Sequence, residues 1–293
     1  RGIAGSGRHQ GDPHRPALQR MGAAMAHRGP AGAGVWASPP DARGWGAMLG
    51  HRRLSILDLS PAGAQPMVDP ATGDVVVLNG EIYNYVELRE GLAAAGQAFR
   101  STGDTEVMLR ALSLRGTEAI PAFRGMFAFA FWDAGERTLT LARDPLGIKP
   151  LYVASNPDPA GDWALAFASE VRALLASGLL GTPRLRPSTA AAVAWNGFVV
   201  GPHSAVAGVD SVPPGWVRVL DGAGRERLSR EYWAVPERPA GAAVDERALA
   251  GALPERGRPA PASGGPLGVF PAGGGDSSAV GHPARPAPPG AGP

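Results

Sequence analysis

Few residues of this chain have the type and spacing that nucleophilic or metal chemistry requires. None of the 293 residues is cysteine, which excludes disulfides, thiolate metal sites and a cysteine nucleophile. His27, His51 and His282 lack the spacing of metal ligands, so we predict no metal site. Residues 273–278 read Gly-Gly-Gly-Asp-Ser-Ser, and such a run can hold a phosphate against backbone amides. A flexible linker would also contain a run of this kind.

Composition limits the partners and the compartment. Lysine and arginine total 28 against 26 acidic residues, a balance that does not favour a nucleic-acid partner. Hydrophobic residues make up 44% of the chain, enough for a folded core. No stretch of about 18 apolar residues occurs, so no membrane span is predicted. The chain also lacks a secretory signal pattern, and we therefore expect a cytoplasmic protein.

The elements around residue 80 follow local patterns. The β-branched run of residues 74–78 predicts a strand, and the dipeptide Asn79-Gly80 predicts a tight turn at its end. A helix should follow, because apolar residues then recur at intervals of three and four, namely Tyr85, Leu88 and Leu92.

Further elements complete a mixed pattern of helices and strands. Residues 101–104 offer N-cap candidates for a second helix. Residues 126–132 and 138–142 predict a hairpin, and a short helix should begin after Ser169 and Glu170. Between residues 181 and 233 the pattern weakens to short strands. Proline, glycine and alanine dominate beyond residue 234, which indicates a disordered tail.

Ten short motifs, in order along the chain, resemble the glutaminase domain of glutamine-hydrolysing asparagine synthetases. They lie at residues 1–5, 27–30, 51–58, 65–67, 79–84, 104–106, 125–129, 142–144, 147–152 and 167–170. The resemblance covers residues 1 to about 235. It implies an α+β fold of the N-terminal-nucleophile type, an αββα sandwich, followed by a short linker and the degenerate start of an α/β ATP-pyrophosphatase domain. We therefore expect a glutaminase-like domain over 1–212, connecting strands and linker over 213–262, and a truncated phosphate loop with a disordered tail over 263–293.

The nucleophile position departs from the family pattern. Family members use an N-terminal cysteine whose own α-amine acts as the base, and here Arg1 stands at that position. A guanidinium stays protonated and cannot attack a carbonyl. Ser6 is no substitute, because it is internal and has no free amine. We expect no glutaminase activity from this chain; a fragment or a sequence error would also place an arginine there.

The resemblance assigns Asn79 and Gly80 to the oxyanion hole, through a side-chain amide and a backbone N–H. Taken alone, the dipeptide would be an ordinary Asn-Gly turn. The sequence leaves both interpretations open, an oxyanion hole and an ordinary turn.

The resemblance also assigns a site for the α-amino and α-carboxyl groups of glutamine. Arg53 would pair with the carboxylate, although a solvated arginine is the alternative and Arg52 lies one residue away. Glu81 and Asp104 would surround the ammonium; alternatively they are a helix-start acid and an N-cap. Ala31 stands where the family usually has an aspartate, so that loop is expected to differ.

A second site would bind ATP with Mg²⁺ in the family. The matching residues here are Phe270, Gly273, Gly274, Asp276, Ser277 and Ser278. Ala272 replaces a serine hydroxyl, and Pro271 lacks an N–H at the end of the expected strand. Only 17 residues follow Asp276, and they are rich in proline. We expect this chain not to bind ATP or Mg²⁺ usefully.

Three functions are therefore compatible with the sequence. The first is a truncated asparagine-synthetase-like ligase, whose ancestral reaction converts aspartate, glutamine and ATP to asparagine, glutamate, AMP and pyrophosphate. The second is a β-lactam-synthetase-like or peptide-cyclising relative without glutaminase activity, which the lack of cysteine fits. The third is a non-catalytic glutamine-binding scaffold. The family partners are glutamine, aspartate and ATP, and the resemblance leaves a homodimer open.

Overall fold

The computed structural model describes residues 14–55, 57–158 and 160–237, residue 247, and the backbone of residues 2–6. The chain divides into two units, residues 1–234 and 235–293, and the elements below belong to the first. Its strands, in chain order, are β1 Gly2–Ser6, β2 Gly32–Ala37, β3 Met48–Arg53, β4 Met67–Val68, β5 Val75–Ile82, β6 Gly125–Asp133, β7 Thr138–Arg143, β8 Tyr152–Ser155, β9 Leu165–Ala168, β10 Val209–Ser211, β11 Trp216–Asp221 and β12 Glu226–Glu231.

Helices connect and cover these strands. The α-helices are α1 Arg15–Ala24, α2 Tyr85–Ala94, α3 Asp104–Arg115, α4 Val171–Ala176 and α5 Pro187–Asn196, and short 3₁₀ turns lie at Ala26–Arg28, Pro61–Gly63 and Gly116–Ala122. None of the helices among the described residues combines the length and apolar character needed to cross a membrane.

The strands form two antiparallel six-stranded sheets. The first has the order β10-β8-β9-β1-β3-β2, and the second β12-β11-β7-β6-β5-β4. Residues 75–78 of β5 are all apolar because both faces of this strand are covered: Val75 and Val77 pack between the sheets, whereas Val76 and Leu78 pack on the other face of their sheet. Both faces of the second sheet are therefore covered.

The outer layers are helical. Residues of α2 and α3 share an apolar cluster with the outer face of the second sheet. Residues of α1 and α4 do the same on the first sheet. The layers therefore run helix, sheet, sheet, helix, which is the predicted αββα order. Of the expected domains, the region 263–293 lies outside the described residues.

Local predictions fared unevenly. The helix after residue 84 and the hairpin of β6 and β7 are confirmed. The turn at Asn79-Gly80 was wrong: β5 continues to Ile82, because both residues stay paired with β6, opposite Ala128 and Phe127. The helix α5 was not predicted, since Thr189 is its one buried residue and its sequence shows no amphipathic period. The segment expected as connecting strands contributes β11 and β12 to the second sheet.

Candidate functional site

The C-terminal half of β5 carries two of the expected site residues, Asn79 and Gly80, close against neighbouring backbone and side chains. Asn79 is 2% exposed, and its Nδ2 donates to the Ser169 Oγ at 3.4 Å. Gly80 has a φ of +147°, and a Cβ there would lie 2.0 Å from the Met126 carbonyl oxygen. Such a contact excludes every side chain. Glycine at residue 80 is thus required by the approach of β6, and the ordinary-turn interpretation is excluded.

Asp104 ties the start of α3 to the end of β5. Its side chain is 2% exposed, and Oδ2 accepts the backbone N–H of Ile82 at 3.0 Å. The N-cap of α3 is Gly103, which has no side-chain capping bond, so the N-cap interpretation of Asp104 was wrong. The first turn of a helix favours a negative charge, which suits a buried carboxylate at this position.

Glu81 lies between Gly80 and Ile82 and pairs with Met126 of β6. It shares a strand face with Asn79, because side chains alternate along β5. Burial, together with the nearby carboxylates of Glu81 and Asp144, raises the pKa of the Tyr83 hydroxyl. Glu81 is therefore a partly exposed carboxylate at the end of β5 rather than a helix-start acid of α2.

Arg53 ends β3 and is held by a loop. Its Nη2 donates to the Asp58 carbonyl oxygen, and to that of Ser60 at 2.9 Å. The Asp58 carboxylate accepts the N–H groups of Ser60 at 2.8 Å and Thr102 at 3.2 Å. Burial alone would raise the pKa of Asp58, but these bonds and the charge of Arg53 lower it. An ionised Asp58 thus joins the Arg53 loop to the segment that precedes α3.

Arg53 and Asp104 line one small pocket that is partly open to solvent. Arg52 is not among the lining residues, which favours Arg53 in the assignment that the sequence left open. Gln65 closes the pocket, since its Nε2 donates to the Thr105 Oγ1 at 3.1 Å and its Oε1 accepts the Leu78 N–H at 2.6 Å. A cation and an anion in one pocket complement the two charged groups of a free α-amino acid.

The other expected residues stand beside this pocket rather than in it. Asn79, Gly80 and Glu81 lie on β5 and are linked to the pocket through the Asp104–Ile82 bond. Arg1 lies outside the described residues, as do the phosphate-loop residues Phe270, Gly273, Gly274, Asp276, Ser277 and Ser278. Across the part of the chain that the structure describes, no three His, Asp or Glu side chains are grouped so as to hold a metal ion.

Sequence reasoning gave no role to a charged cluster at the end of β9. Glu170 lies 2.9 Å from Arg28 Nη1 and 3.0 Å from His27 Nε2, and it also accepts a bond from Arg172 Nε. Burial would raise the pKa of Glu170, but the bonds from Arg172, Arg28 and His27 lower it to about 2. The motifs at 27–30 and 167–170 contain His27, Arg28 and Glu170, so the joint presence of these motifs was the signal available.

The similarity to known proteins lies in the first unit of the chain, residues 1–234. A family model described as a glutamine amidotransferase domain matches residues 1–233. A putative glutamine-hydrolysing asparagine synthetase of Mycobacterium tuberculosis is 42% identical over 177 residues, which are 59% of this chain and 26% of that protein. A putative asparagine synthetase of Methanocaldococcus jannaschii is 30% identical over 236 residues, covering 75% of this chain and 44% of that protein. The chain thus spans well under half the length of these relatives.

The fold has a counterpart among solved structures. A glutamine phosphoribosylpyrophosphate amidotransferase of B. subtilis, solved with ADP and GMP, superposes with a TM-score of 0.57 at 19% identity. The match covers 81% of this chain and 50% of that one. At this identity the similarity supports the fold alone.

Proposed function

Because the chain belongs to the glutamine amidotransferase domain family, of class II, we propose that residues 1–234 form the glutamine-binding unit of an asparagine-synthetase-like protein. The observation that carries the proposal is that Arg53 and Asp104 line the same pocket. Asp104 is also hydrogen-bonded to Ile82 at the end of β5. The similarity to asparagine synthetases of several organisms agrees with it.

Each group of glutamine would meet a defined partner. The Arg53 guanidinium would hold the α-carboxylate, and the carboxylates of Asp104 and Glu81 would hold the α-ammonium. The side chain would then extend toward β5. There the Asn79 Nδ2 and the Gly80 N–H would donate to the oxygen of the amide as it becomes negatively charged.

Hydrolysis is a separate matter from binding. Attack on the amide carbon needs a nucleophile and a base, and this sequence holds no cysteine to supply a thiolate. We propose that the chain binds glutamine weakly without hydrolysing it. A variant with Arg1→Cys as its first residue should release ammonia and glutamate from glutamine, because the proposed oxyanion and binding groups do not depend on the residue at the nucleophile position. Glutamate formation by the unaltered chain would contradict the proposal.

Ligand-observed NMR titration with glutamine tests the pocket. Each charge-assisted hydrogen bond contributes roughly 1.5–3 kcal/mol, and association costs at least about 4 kcal/mol. Three such contacts leave an affinity on the order of millimolar. Arg53→Ala and Asp104→Ala should each abolish binding. Arg218→Ala removes an arginine from an exposed pair with Glu226 and should leave binding unchanged. Equal binding by all four proteins would place the pocket elsewhere.

The activity of the whole protein extends the proposal. By their names, the relatives make asparagine with glutamine as the nitrogen source. We propose that aspartate, ATP and Mg²⁺ are substrates and cofactor of the ancestral ligase reaction, that the protein is cytoplasmic, and that Pro271 and Ala272 weaken ATP binding by residues 270–278. The lack of cysteine also fits an amide-forming relative without glutaminase activity. If the Arg1→Cys variant folds normally but does not hydrolyse glutamine, the amide-forming relative without glutaminase activity would be favoured.

A further inference from the structure

Glu170 is the centre of a cluster that the proposed function does not use. Three side chains from two separate segments converge on its carboxylate: His27 and Arg28 before β2, and Arg172 in α4. The Glu170 side chain is only 19% exposed, and the Arg28 side chain 22%. Charge-assisted bonds in such a partly buried place are stronger than those of a surface pair.

The segment that Glu170 holds lies directly on the end of β3. A Cβ at Gly29 would be 2.4 Å from the carbonyl carbon and oxygen of Arg52, so the two backbones touch. Two residues later, the Ala31 N–H donates to the Arg53 carbonyl oxygen at 3.0 Å. Movement of residues 27–31 would therefore move the backbone of Arg53.

Glu170 also adjoins the oxyanion side of the site. It follows Ser169, which is fully buried and accepts the Asn79 Nδ2 hydrogen bond. The strand before it, β9, pairs antiparallel with β1 in the register Ala4 to Ala168. The antiparallel direction carries residues 169 and 170 toward the first residues of β1.

We infer that Glu170 is a positioning residue of the glutamine site: it clamps residues 27–31 against β3 and so sets Arg53 relative to Asn79. The inference rests on the proposed function, since Arg53 is taken to bind the substrate carboxylate. Glu170 touches no substrate group in this account. It acts through the loop and through the strand end that it joins.

Backbone hydrogen exchange tests the clamp without any activity. In Glu170→Gln the charge that attracts Arg28 and Arg172 is lost, and the Ala31 amide should exchange about tenfold faster. The Ser38 amide, bonded to the Ala47 carbonyl oxygen at 2.8 Å, lies at the other end of the β2–β3 pair and should be unaffected. Glu226→Gln removes the charge of a carboxylate–arginine pair between β12 and β11 and is the matched control; it should change neither amide.

Kinetics then tests the consequence for substrate. In the Arg1→Cys background, Glu170→Gln should raise the KM for glutamine about tenfold and change kcat less than about twofold, because Arg53 binds a group remote from the reacting amide. A merely structural defect would reduce the active fraction, which lowers kcat and leaves KM unchanged. Glu226→Gln should change neither constant.

The possible results distinguish a failure of the Glu170 positioning role from a failure of the proposed function. Unchanged exchange at Ala31, or a KM within twofold of the parent in an active Arg1→Cys protein, would overturn the role of Glu170. If Arg1→Cys folds but hydrolyses no glutamine, the proposed function fails, whereas the exchange result still decides whether Glu170 holds the loop.

Discussion

Replacement of Gly80 by alanine should damage the molecule more than its small size suggests. The new Cβ would lie 2.0 Å from the Met126 carbonyl oxygen and 2.7 Å from the Phe127 Cα. Both are backbone atoms of β6, the strand that pairs with β5 along its whole length, so no side-chain rotation relieves the contact. The φ of +147° adds a second penalty, because L-residues rarely adopt it.

The size of the effect follows from these two causes. An unfavourable backbone conformation costs about 1–3 kcal/mol, and overpacking a buried site costs about as much again. The free energy of unfolding should therefore fall by about 2–6 kcal/mol, a large part of the roughly 5–15 kcal/mol that such a domain has. With a urea m-value of about 2–3 kcal/mol/M, the midpoint should move down by about 1 M or more.

Urea unfolding followed by tryptophan fluorescence measures this shift. Gly91→Ala is the matched control: Gly91 lies inside α2, and among the described residues no atom other than those of its chain neighbours and the α2 backbone lies within 4 Å of the Cβ position. It should gain about 0.5–1 kcal/mol, since alanine is the better helix former. A Gly80→Ala midpoint close to that of the parent would mean that β5 and β6 can separate freely, which would refute the argument that glycine is required there.

Three other outcomes are expected. The stability difference between the parent and Glu170→Gln should be complete above pH 4.5 and disappear as the pH falls through about 2, because the folded state lowers this pKa; a pH series of urea midpoints measures it, and a difference independent of pH would contradict the assignment. Calorimetry with Mg-ATP at millimolar concentration should give no saturable heat, because Ala272 and Pro271 depart from the phosphate-loop pattern that the sequence resemblance implies; a 1:1 isotherm would contradict this. Trp195→Ser should change stability by less than about 0.5 kcal/mol, since Trp195 is 90% exposed; a larger loss by urea unfolding would show that its ring is packed.

Sequence patterns predicted those elements whose signals are local. The helix after residue 84 and the β6–β7 hairpin follow from spacing and turn residues within a few positions. The Asn79-Gly80 dipeptide misled because its local preference for a turn is overridden by pairing with β6, a strand more than forty residues later in the chain. Propensity acts over a few residues, whereas the partner strand decides whether a glycine with positive φ ends a strand or continues it.

The candidate site could not be predicted from local sequence patterns, because its residues lie far apart along the chain. Arg53 and Asp104 lie 51 positions apart, and the sequence brings them together only through its resemblance to a family. In the structure the link is Asp58, whose carboxylate reaches Thr102 while the carbonyl oxygen of the same residue accepts from Arg53. No periodicity encodes such a bond. The same holds for Glu170 and Arg28, which are 142 positions apart.

Three carboxyl side chains, of which Asp104 and Asp144 are buried, bridge the elements around this site. Asp104 accepts an N–H from β5, and Asp58 accepts one from the segment before α3. Asp144 is fully buried, and its Oδ2 accepts the N–H groups of Phe127 at 3.2 Å and Lys149 at 2.9 Å, which holds β6 opposite Gly80. Carboxyl oxygens that accept N–H groups and bridge elements in this way act independently of a nucleophile. A pocket built on them can therefore keep its shape, and with it the proposed affinity for glutamine, in a chain that has no thiol to attack the amide.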